Sequence, residues 1–306
     1  MNLHRMSDHT AGLLTGAGLD HEYVQDIINR TVLEDLDGGI DVTSVATVPA
    51  AQLSTVTFGA RADGCLAGLD IACAVVETVC GAANVTIERV KSDGDRVRKG
   101  DVIARVKAPT QTMLTAERTA LNLMCHLSGV ATATSKWVDA VAGTGAVIRD
   151  TRKTTPMLRR MEKYAVRCGG GQNHRMSLSD AALVKDNHIA AAGGVEQAFS
   201  LIRTAAAGLP IEIEVDTVDQ LQTAINAGAD VVLLDNMPPD VMRQAVSVAA
   251  AHRSATGHDV LLEASGGLTL DNAKAVAETG VHFISVGGLT HSSPILDIGL
   301  DFETVA

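Results

Sequence analysis

Ile211-Glu-Ile-Glu-Val215 leads into Asp216, and Val231-Val-Leu-Leu234 leads into Asp235-Asn236. These two stretches show the pattern of the second half of the chain. Each is a short apolar segment that ends in polar residues. Four more segments end in the same way, with polar residues or glycine: Val147-Ile148, Ala181-Ala-Leu-Val184, Leu261-Leu262 and Phe283-Ile-Ser-Val286. Buried strands that alternate with helices are typical of parallel βαβ units.

Ala-rich helical stretches separate most of these strands, and they cover Ala190–Ala206, Val218–Ala227, Pro239–Ala251 and Leu270–Thr279. Only six strands are clear, whereas a regular α/β barrel has eight. We therefore expect an incomplete, TIM-like α/β barrel. In such folds the chemistry lies at the carboxyl ends of the strands, where the polar residues of this chain collect.

The first third of the chain has a mixed pattern. Apolar residues at helical spacing predict a helix over Leu19–Leu36, and short alternating segments predict strands at Leu53–Phe58 and Val85–Val90. A second helical pattern runs from Thr112 to about Val141 and ends at glycines. That helix is expected to connect two domains.

Composition excludes several classes of protein. The 306 residues include 25 Lys and Arg against 36 Asp and Glu, a net charge of −11, and only 2% aromatic residues. A general nucleic-acid binder needs an excess of cations and stacking surfaces, so we expect no nucleic-acid partner.

The chain also lacks the marks of a secreted or membrane protein. No apolar run approaches the roughly 18 residues of a membrane span, and the N-terminus does not resemble a signal peptide. The cysteines are odd in number and form no CxxC pair, so neither disulfides nor a zinc site is expected: Cys65, Cys73, Cys80, Cys125 and Cys168. We expect a cytoplasmic protein with reduced thiols.

A cationic cluster stands out within this acidic chain. Nine of the 25 basic residues lie between Arg149 and Lys185, against four acidic residues from there to His188. Four of the nine fit a solvated helix face equally well: Arg159, Arg160, Lys163 and Arg167. The others adjoin strand ends or a glycine turn, and among them are Arg152, Lys153, Arg175 and Lys185. Such a focus suits a small ligand with several negative charges.

The last strands add a candidate phosphate site and candidate carboxylates. Ser265-Gly266-Gly267 and Gly287-Gly288 each follow a strand, and backbone N–H groups in such loops bind phosphate. Glu214 and Asp235 end successive strands, where carboxylates hold Mg²⁺, accept sugar hydroxyls or merely balance neighbouring cations.

Several motifs together resemble the quinolinate phosphoribosyltransferase family. They appear in the family's order and cover nearly the whole chain: Glu34-Asp-Leu36, Ala116-Glu-Arg-Thr-Ala-Leu-Asn122, Arg149-Asp-Thr-Arg-Lys-Thr-Thr-Pro156, Gly169-Gly-Gly-Gln-Asn-His-Arg175, Leu183-Val-Lys-Asp-Asn-His-Ile189, Ile213-Glu-Val-Asp216, Leu233-Leu-Asp-Asn236, Glu263-Ala-Ser-Gly-Gly267 and Ser285-Val-Gly-Gly288. One departure is Gly38-Gly-Ile-Asp-Val-Thr-Ser44, where the family more often has Gly-Asp followed by paired threonines.

The resemblance implies a reaction and an architecture. Quinolinate and phosphoribosyl pyrophosphate would give nicotinate mononucleotide, pyrophosphate and CO₂, on the de novo route to NAD. Residues 1–127 would form an open α/β sandwich and residues 128–306 the α/β barrel. The family further implies Mg²⁺ as cofactor and a homodimer in which each subunit completes the other's site.

The resemblance also implies roles for individual residues. The quinolinate carboxylates would be held by Arg152, His174, Arg175 and the partner subunit's Arg118. Lys153 and Lys185 would face the pyrophosphate and the reacting centre, and Glu214 and Asp235 would bind the ribose hydroxyls directly or through Mg²⁺. The 5′-phosphate would be surrounded by Ser265, Gly266, Gly267, Gly287, Gly288 and His291.

Two rival functions and one weak site candidate are also considered. Lys185 closes an apolar strand and is a candidate for the amine of a Schiff-base aldolase. Lys91–Ile103 resembles the closing hairpin of biotinyl and lipoyl domains, but no lysine precedes Lys91 to be modified, so we interpret the segment as a structural hairpin. His126 is expected to serve in packing or in a dimer contact, and its proximity to Arg118 makes it a weak site candidate.

Overall fold

The computed structural model describes residues 3–206 and 208–303. They form two compact units, neither of which is a single stretch of chain. The first comprises the residues up to 133, 160–169 and those from 293 onward, and the second comprises 134–159 and 170–292. The expected domain boundary between residues 127 and 128 stays a prediction. The division into units also groups residues 160–169 and the residues from 293 onward with the N-terminal part of the chain.

The helices and strands alternate through most of the chain. The helices are α1 (Asp8–Gly16), α2 (His21–Leu36), α3 (Val42–Thr47), α4 (Leu69–Cys80), α5 (Thr110–Ala140), α6 (Arg159–Cys168), α7 (Asp186–Ala192), α8 (Val195–Ala205), α9 (Val218–Asn226), α10 (Pro239–Thr256), α11 (Leu270–Ala277) and α12 (Gly288–His291). The strands are β1 (Leu53–Ala60), β2 (Gly64–Cys65), β3 (Thr86–Arg89), β4 (Arg96–Val97), β5 (Val102–Pro109), β6 (Val147–Arg149), β7 (Ala182–Val184), β8 (Ile211–Val215), β9 (Val231–Asp235), β10 (Leu261–Ser265), β11 (Phe283–Ser285) and β12 (Ile298–Phe302).

The first unit is built on a four-stranded antiparallel sheet in the order β12-β1-β5-β3. Val56, Phe58 and Ala60 alternate along β1 and are buried, as the period of a strand with one covered face requires. Every residue of α4 except Asp70 is buried. The predicted strands at Leu53–Phe58 and Val85–Val90 are confirmed as β1 and β3.

The second unit is built on a six-stranded parallel sheet in the order β6-β11-β10-β9-β8-β7. Its strands are the six that the sequence predicts. Among the described residues no strand pairing joins β6 to β7, so the sheet has two edges and the barrel is open. The expectation of an incomplete α/β barrel is confirmed.

One predicted helix is wrong as a single element. Ala190–Ala206 contains the end of α7 and the whole of α8, because the chain turns at Gly193 and Gly194. Both glycines have positive φ, 92° and 143°, a conformation that interrupts an α-helix and that other residues rarely adopt.

The predicted connecting helix is α5, with 31 residues. It contributes to both units, since residues 134–140 belong to the second. Within the described ranges, no helix combines the length and the apolar character that crossing a membrane would need.

Lys91–Ile103 is a structural hairpin, as predicted. It links β3 to β5, which pair antiparallel, and the backbone N–H of Val90 and of Lys91 both donate to the carbonyl of Ile103. The Lys91 ammonium lies 3.2 Å from the Asp101 carboxylate at the base of the turn.

Candidate active site

The carboxyl ends of the parallel strands enclose a cavity of about 680 Å³. It lies entirely within the second unit, at the edge where the polar residues follow each strand. Ten residues singled out from the sequence line it together: Arg152, Lys153, His174, Arg175, Lys185, Glu214, Asp235, Ser265, Gly266 and Gly267. The topology therefore gathers side chains that lie up to 115 positions apart in the sequence.

Gly287, Gly288 and His291 lie beside the Lys153 segment of this cavity. A Cβ atom on Gly287 would come within 2.9 Å of Lys153 Cδ and 3.7 Å of His291 Nε2. The Thr290 hydroxyl donates to the carbonyl of Lys153 at 2.7 Å, which fixes the backbone of that lysine against α12. Gly288 begins α12, and a Cβ there would meet open space.

Arg118 belongs to the first unit, whereas the other candidates belong to the second. It is exposed on α5 in the first unit, and it lines a separate cavity of about 140 Å³ together with Glu34 and Asp35. Arg118 is not among the residues that line the large cavity of its own chain.

Two guanidinium groups define one end of the large cavity. The pKa of Arg175 is lowered by burial and then by the charge of Arg152. Its Nη1 donates to the carbonyl of Ala181 at 3.0 Å, so part of its hydrogen-bonding capacity is already used by the protein. Two cations that repel each other in a partly buried wall make a binding site for a ligand with paired negative charges.

The two predicted carboxylates lie at the ends of β8 and β9. Glu214 Oε2 accepts a hydrogen bond from Lys185 Nζ at 3.0 Å, and Asp235 Oδ2 accepts one from Asn236 Nδ2 at 2.7 Å. The Lys185 side chain is 47% exposed and that of Glu214 is 12% exposed. Lys185 is therefore an ion-paired ammonium at the mouth of the cavity, which disfavours the desolvated amine that a Schiff-base aldolase needs.

The glycine loop after β10 packs tightly on the loop after β9. Gly266 has φ 88°, and a Cβ there would lie 2.3 Å from Asn236 Oδ1 and 3.0 Å from the Asn236 backbone nitrogen. Asn236 itself has φ 51°, and its N–H donates to the carbonyl of Ser265 at 2.8 Å. Only glycine fits at position 266, and the loop presents its backbone to the cavity.

Three buried carboxylates near this cavity were missed by the sequence reasoning: Asp150, Glu212 and Glu263. Asp150 and Glu263 are fully buried, and Glu212 is 7% exposed. Burial, and then the charge of Glu212, raises the pKa of Glu263. The sequence signal for Glu212 was the strand Ile211-Glu-Ile-Glu-Val215, in which two acidic residues alternate with apolar ones. A strand covered on both faces buries such an acid, and a buried carboxylate requires a polar partner in the protein interior.

The buried carboxylates form a network with residues of the cavity wall. Glu263 accepts from Arg149 Nη1 at 2.7 Å and from the Ser285 hydroxyl. His174 Nε2 lies 2.8 Å from Glu212 Oε2 and 3.6 Å from Glu263 Oε1. Potential metal-ligand atoms of His174, Glu212 and Glu263 all lie within 4.8 Å of one another, and they already bond to each other, to Arg149 and to Ser285.

The cationic helix α6 takes no part in the large cavity. Its Lys163 and Glu162 are fully buried in the first unit, so the interpretation as a wholly solvated face is wrong for this helix. His126, the weak site candidate on α5, bonds through Nε2 to Glu162 Oε1 at 2.8 Å. Spacing on a helix wheel could not distinguish a buried lysine from an exposed one.

Comparison with known sequences decides the family. Residues 41–128 match the sequence model of the quinolinate phosphoribosyl transferase N-terminal domain, and residues 130–301 match that of the C-terminal domain. The chain belongs to the quinolinate phosphoribosyltransferase family. The predicted family is thereby confirmed, and with it an enzyme of the pentosyltransferase type that acts in NAD biosynthesis.

Relatives of this phosphoribosyltransferase are named nicotinate-nucleotide pyrophosphorylase, a name that describes the reaction in the reverse direction. A Mycobacterium leprae protein named nicotinate-nucleotide pyrophosphorylase [carboxylating] is 48% identical, over 92% of this chain and 98% of the relative. A Bacillus subtilis protein named as a probable nicotinate-nucleotide pyrophosphorylase [carboxylating] is 41% identical, over 92% and 94%. The solved structure of the nicotinate-nucleotide pyrophosphorylase from Francisella tularensis superposes with a TM-score of 0.86 at 36% identity, over 92% of this chain and 96% of that one.

Proposed function

We propose that the large cavity is where this phosphoribosyltransferase joins quinolinate to the ribose of phosphoribosyl pyrophosphate, with release of pyrophosphate and CO₂. The observation that carries the proposal is the gathering of four cations and two strand-end carboxylates in one cavity of about 680 Å³. The cations match the many negative charges of the two substrates, and the carboxylates match the positive charge that develops on the sugar.

Quinolinate occupies the arginine end of the cavity in this proposal. Arg152 and Arg175 each offer a planar fork of N–H donors that suits a carboxylate. The two carboxylates on adjacent ring carbons of quinolinate would relieve the repulsion between these guanidinium groups. His174 lies in the same wall, but both of its ring nitrogens already bond to the protein.

The ribose lies against Glu214 and Asp235. Breaking the bond between C1 and the pyrophosphate oxygen leaves oxocarbenium-like charge on the sugar, and the quinolinate nitrogen then bonds to C1. A carboxylate that accepts a ribose hydroxyl stabilises that charge in a site where water is limited. Glu214 keeps one oxygen on Lys185 and has the other for the sugar.

The 5′-phosphate is assigned to the glycine loops. Gly266 and Gly267 both have positive φ and line the cavity without side chains of their own, which allows close approach of an anion to their backbone. The ligands of the phosphate in this proposal are Ser265, Gly266, Gly267, Gly287, Gly288 and His291.

Decarboxylation follows once the ring nitrogen is bonded to ribose. The bond between ring C2 and its carboxylate breaks, CO₂ leaves, and the electron pair stays on C2 beside the positive nitrogen. A proton must then replace the carboxylate. The ammonium of Lys153 or Lys185 offsets the charge on C2 and donates this proton, and water restores it.

Mg²⁺ is the cofactor in this proposal, and the residues present fit it as a partial site. The carboxylates of Glu214 and Asp235 are oxygen ligands of the kind that Mg²⁺ prefers, and a two-carboxylate site leaves its other positions to water and phosphate oxygens. Bound there, the ion would supply positive charge to the departing pyrophosphate. Chelation with EDTA is expected to abolish turnover, and added Mg²⁺ to restore it.

A homodimer in which Arg118 serves the partner's cavity completes the proposal. Support comes from the exposure of Arg118 on α5, since a residue that reaches another subunit must lie at the surface. Five free cysteines also suit work in the reducing cytoplasm.

Mixing two impaired variants tests this arrangement. Arg118→Ala and Gly266→Ala should each lower activity strongly well below saturation with both substrates, but a mixed dimer has one site in which both residues are intact. Statistical mixing makes about half of the dimers mixed, so we expect recovery of about a quarter of wild-type activity. Recovery that stays at the level of the separate variants would contradict a site shared between subunits.

A further inference from the structure

Glu212 is an acid whose burial needs a reason. Its side chain is 9% exposed on the inner side of β8, and it does not line the large cavity. Oε2 bonds to His174, whereas Oε1 is buried with no hydrogen-bond partner among the described residues. A half-satisfied buried carboxylate destabilises a fold relative to an apolar side chain of similar size.

The hydrogen bonds of His174 assign which ring nitrogen accepts and which donates. Its Nδ1 accepts the backbone N–H of Arg175 at 2.7 Å, and a backbone N–H can only donate. Nδ1 is therefore unprotonated, and the ring proton is on Nε2, where it points at Glu212 Oε2. The Arg175 N–H thus selects the tautomer of His174, Glu212 accepts its remaining proton and orients the ring, and both ring nitrogens bond to the protein.

The same segment is held from a second side by Asp150. Asp150 Oδ1 accepts the backbone N–H of His174 at 2.8 Å, and Oδ2 accepts Asn173 Nδ2 at 2.6 Å. Asp150 lies directly before Thr151-Arg152-Lys153, and the held segment ends at Arg175. Buried carboxylates beneath the wall therefore fix the segments that carry both guanidinium groups.

Charge reinforces this geometry. Burial and the neighbouring Arg152 both disfavour the cation of Arg175, while the charge of Asp180 and, to a smaller extent, that of the buried Glu212 favour it. Glu263 is less available for this task, because it is paired with Arg149 and Ser285. Glu212 is the buried carboxylate whose second oxygen is not used by another residue.

We propose that Glu212 is a positioning residue for the dicarboxylate end of the cavity: it fixes the His174 ring, and through it the Arg175 segment, and its charge offsets the repulsion between Arg152 and Arg175. This inference rests on the proposed function, which places quinolinate at Arg152 and Arg175. Glu212 does not touch the substrate; it sets how strongly the quinolinate carboxylates are held.

Two substitutions separate the geometric part from the electrostatic part. Glu212→Gln keeps a carbonyl oxygen that accepts the His174 Nε2 proton but removes the charge, and Glu212→Leu removes both. Glu77→Gln is a matched control, because Glu77 is also 7% exposed and accepts hydrogen bonds, but lies in the first unit. Steady-state kinetics for each substrate, calorimetric binding of quinolinate and ¹⁵N NMR of the histidine rings provide the readouts.

For Glu212→Gln we expect the KM for quinolinate to rise about tenfold, with the KM for phosphoribosyl pyrophosphate within about twofold of wild type. Glu212→Leu should raise it further and shift the ¹⁵N resonance of His174 Nε2, because the Nε2 proton loses its acceptor. Glu77→Gln should change neither KM. A merely structural role would instead lower kcat through loss of folded enzyme and leave the ratio of the two KM values unchanged.

The outcomes distinguish this inference from the proposed function. Unchanged quinolinate binding in folded Glu212→Gln, with an unchanged His174 Nε2 resonance in Glu212→Leu, would overturn it. If Glu212→Leu does not fold, Glu212→Gln decides through the KM ratio. If the wild-type protein binds no quinolinate, the proposed function fails. The part of the inference that concerns quinolinate binding then fails too. The NMR comparison still decides whether Glu212 fixes the His174 ring.

Discussion

The two ends of the large cavity are built by different means. The glycine end uses backbone: Gly266 packs against Asn236 so closely that a single methyl group would not fit. The arginine end uses long side chains, Arg152 and Arg175, and the buried carboxylates Asp150 and Glu212 hold the backbone segment before Arg175 through His174. A phosphate bound by backbone needs an exact loop, whereas a dicarboxylate bound by flexible cations needs a rigid support for them.

This difference predicts how each end responds to substitution. The glycine end should fail sharply when a small group is added at Gly266, because Asn236 leaves no room for it. The arginine end should weaken in steps, because each cation contributes separately to holding the same ligand.

The largest effect is expected at Gly266. Gly266→Ala forces a Cβ into Asn236 and strains a φ of 88°, so kcat/KM for phosphoribosyl pyrophosphate should fall about 1,000-fold. At Gly287 the added Cβ would meet only the flexible side chain of Lys153, so Gly287→Ala should lose less than about tenfold. Gly12→Ala, which meets open space, is the neutral control. Equal losses at Gly266 and Gly287 would refute the rigid-loop account.

The next effect concerns the lysines between the two ends. Lys153→Ala and Lys185→Ala should lower kcat, by about 100-fold for whichever lysine donates the proton to C2. Lys274→Ala, with a side chain that is 70% exposed, should leave kcat unchanged. The hypothesis of a lysine proton donor is wrong if both cavity variants keep near-wild-type turnover.

At the arginine end, Arg152→Ala should raise the KM for quinolinate about 30-fold, the loss of one charge-assisted hydrogen-bonding pair. The KM for phosphoribosyl pyrophosphate should change much less. Arg253→Ala removes an exposed arginine that pairs with Asp259, and it controls for the general loss of a cation. If Arg152→Ala raised both KM values equally, the separation of the cavity into two ends would not hold.

The smallest effect is expected at Thr290, which ties the Lys153 backbone to the last glycine loop. Thr290→Val removes one buried hydrogen bond of 2.7 Å, worth about 1 kcal/mol, so kcat/KM should fall about fivefold. Thr279→Val removes a comparable buried bond, to Val276, outside the cavity. It should lower the Tm by a similar few degrees without changing kcat/KM. A Thr290→Val enzyme with wild-type kinetics would show that this tie is structural only.

The positions of the six parallel strands and of the cavity residues could be predicted from sequence, and the reason is physical. Strands such as Val231–Asp235 are buried on both faces and end in polar residues, so pattern alone reveals both the strand and the edge where its chemistry lies. The same logic placed Glu214 and Asp235 next to each other in the cavity.

Other features depend on tertiary contacts that no local pattern carries. Lys163 has the sequence context of a solvated helix but is fully buried, and α6 packs with residues far from it in the chain. The role of Glu212 depends on the ring orientation of His174, which is set by contacts across the sheet. The break between α7 and α8 was visible as Gly193-Gly194, and the helical pattern on either side obscured it.

The central claim is that the large cavity transfers phosphoribose to quinolinate and removes one carboxylate. The most direct test incubates the full-length protein with phosphoribosyl pyrophosphate, Mg²⁺ and quinolinate labelled with ¹³C in the C2 carboxylate, and follows the products by NMR. We predict nicotinate mononucleotide together with one labelled CO₂ for each nucleotide formed. No nucleotide from quinolinate, or a nucleotide that keeps both carboxylates, would contradict the claim.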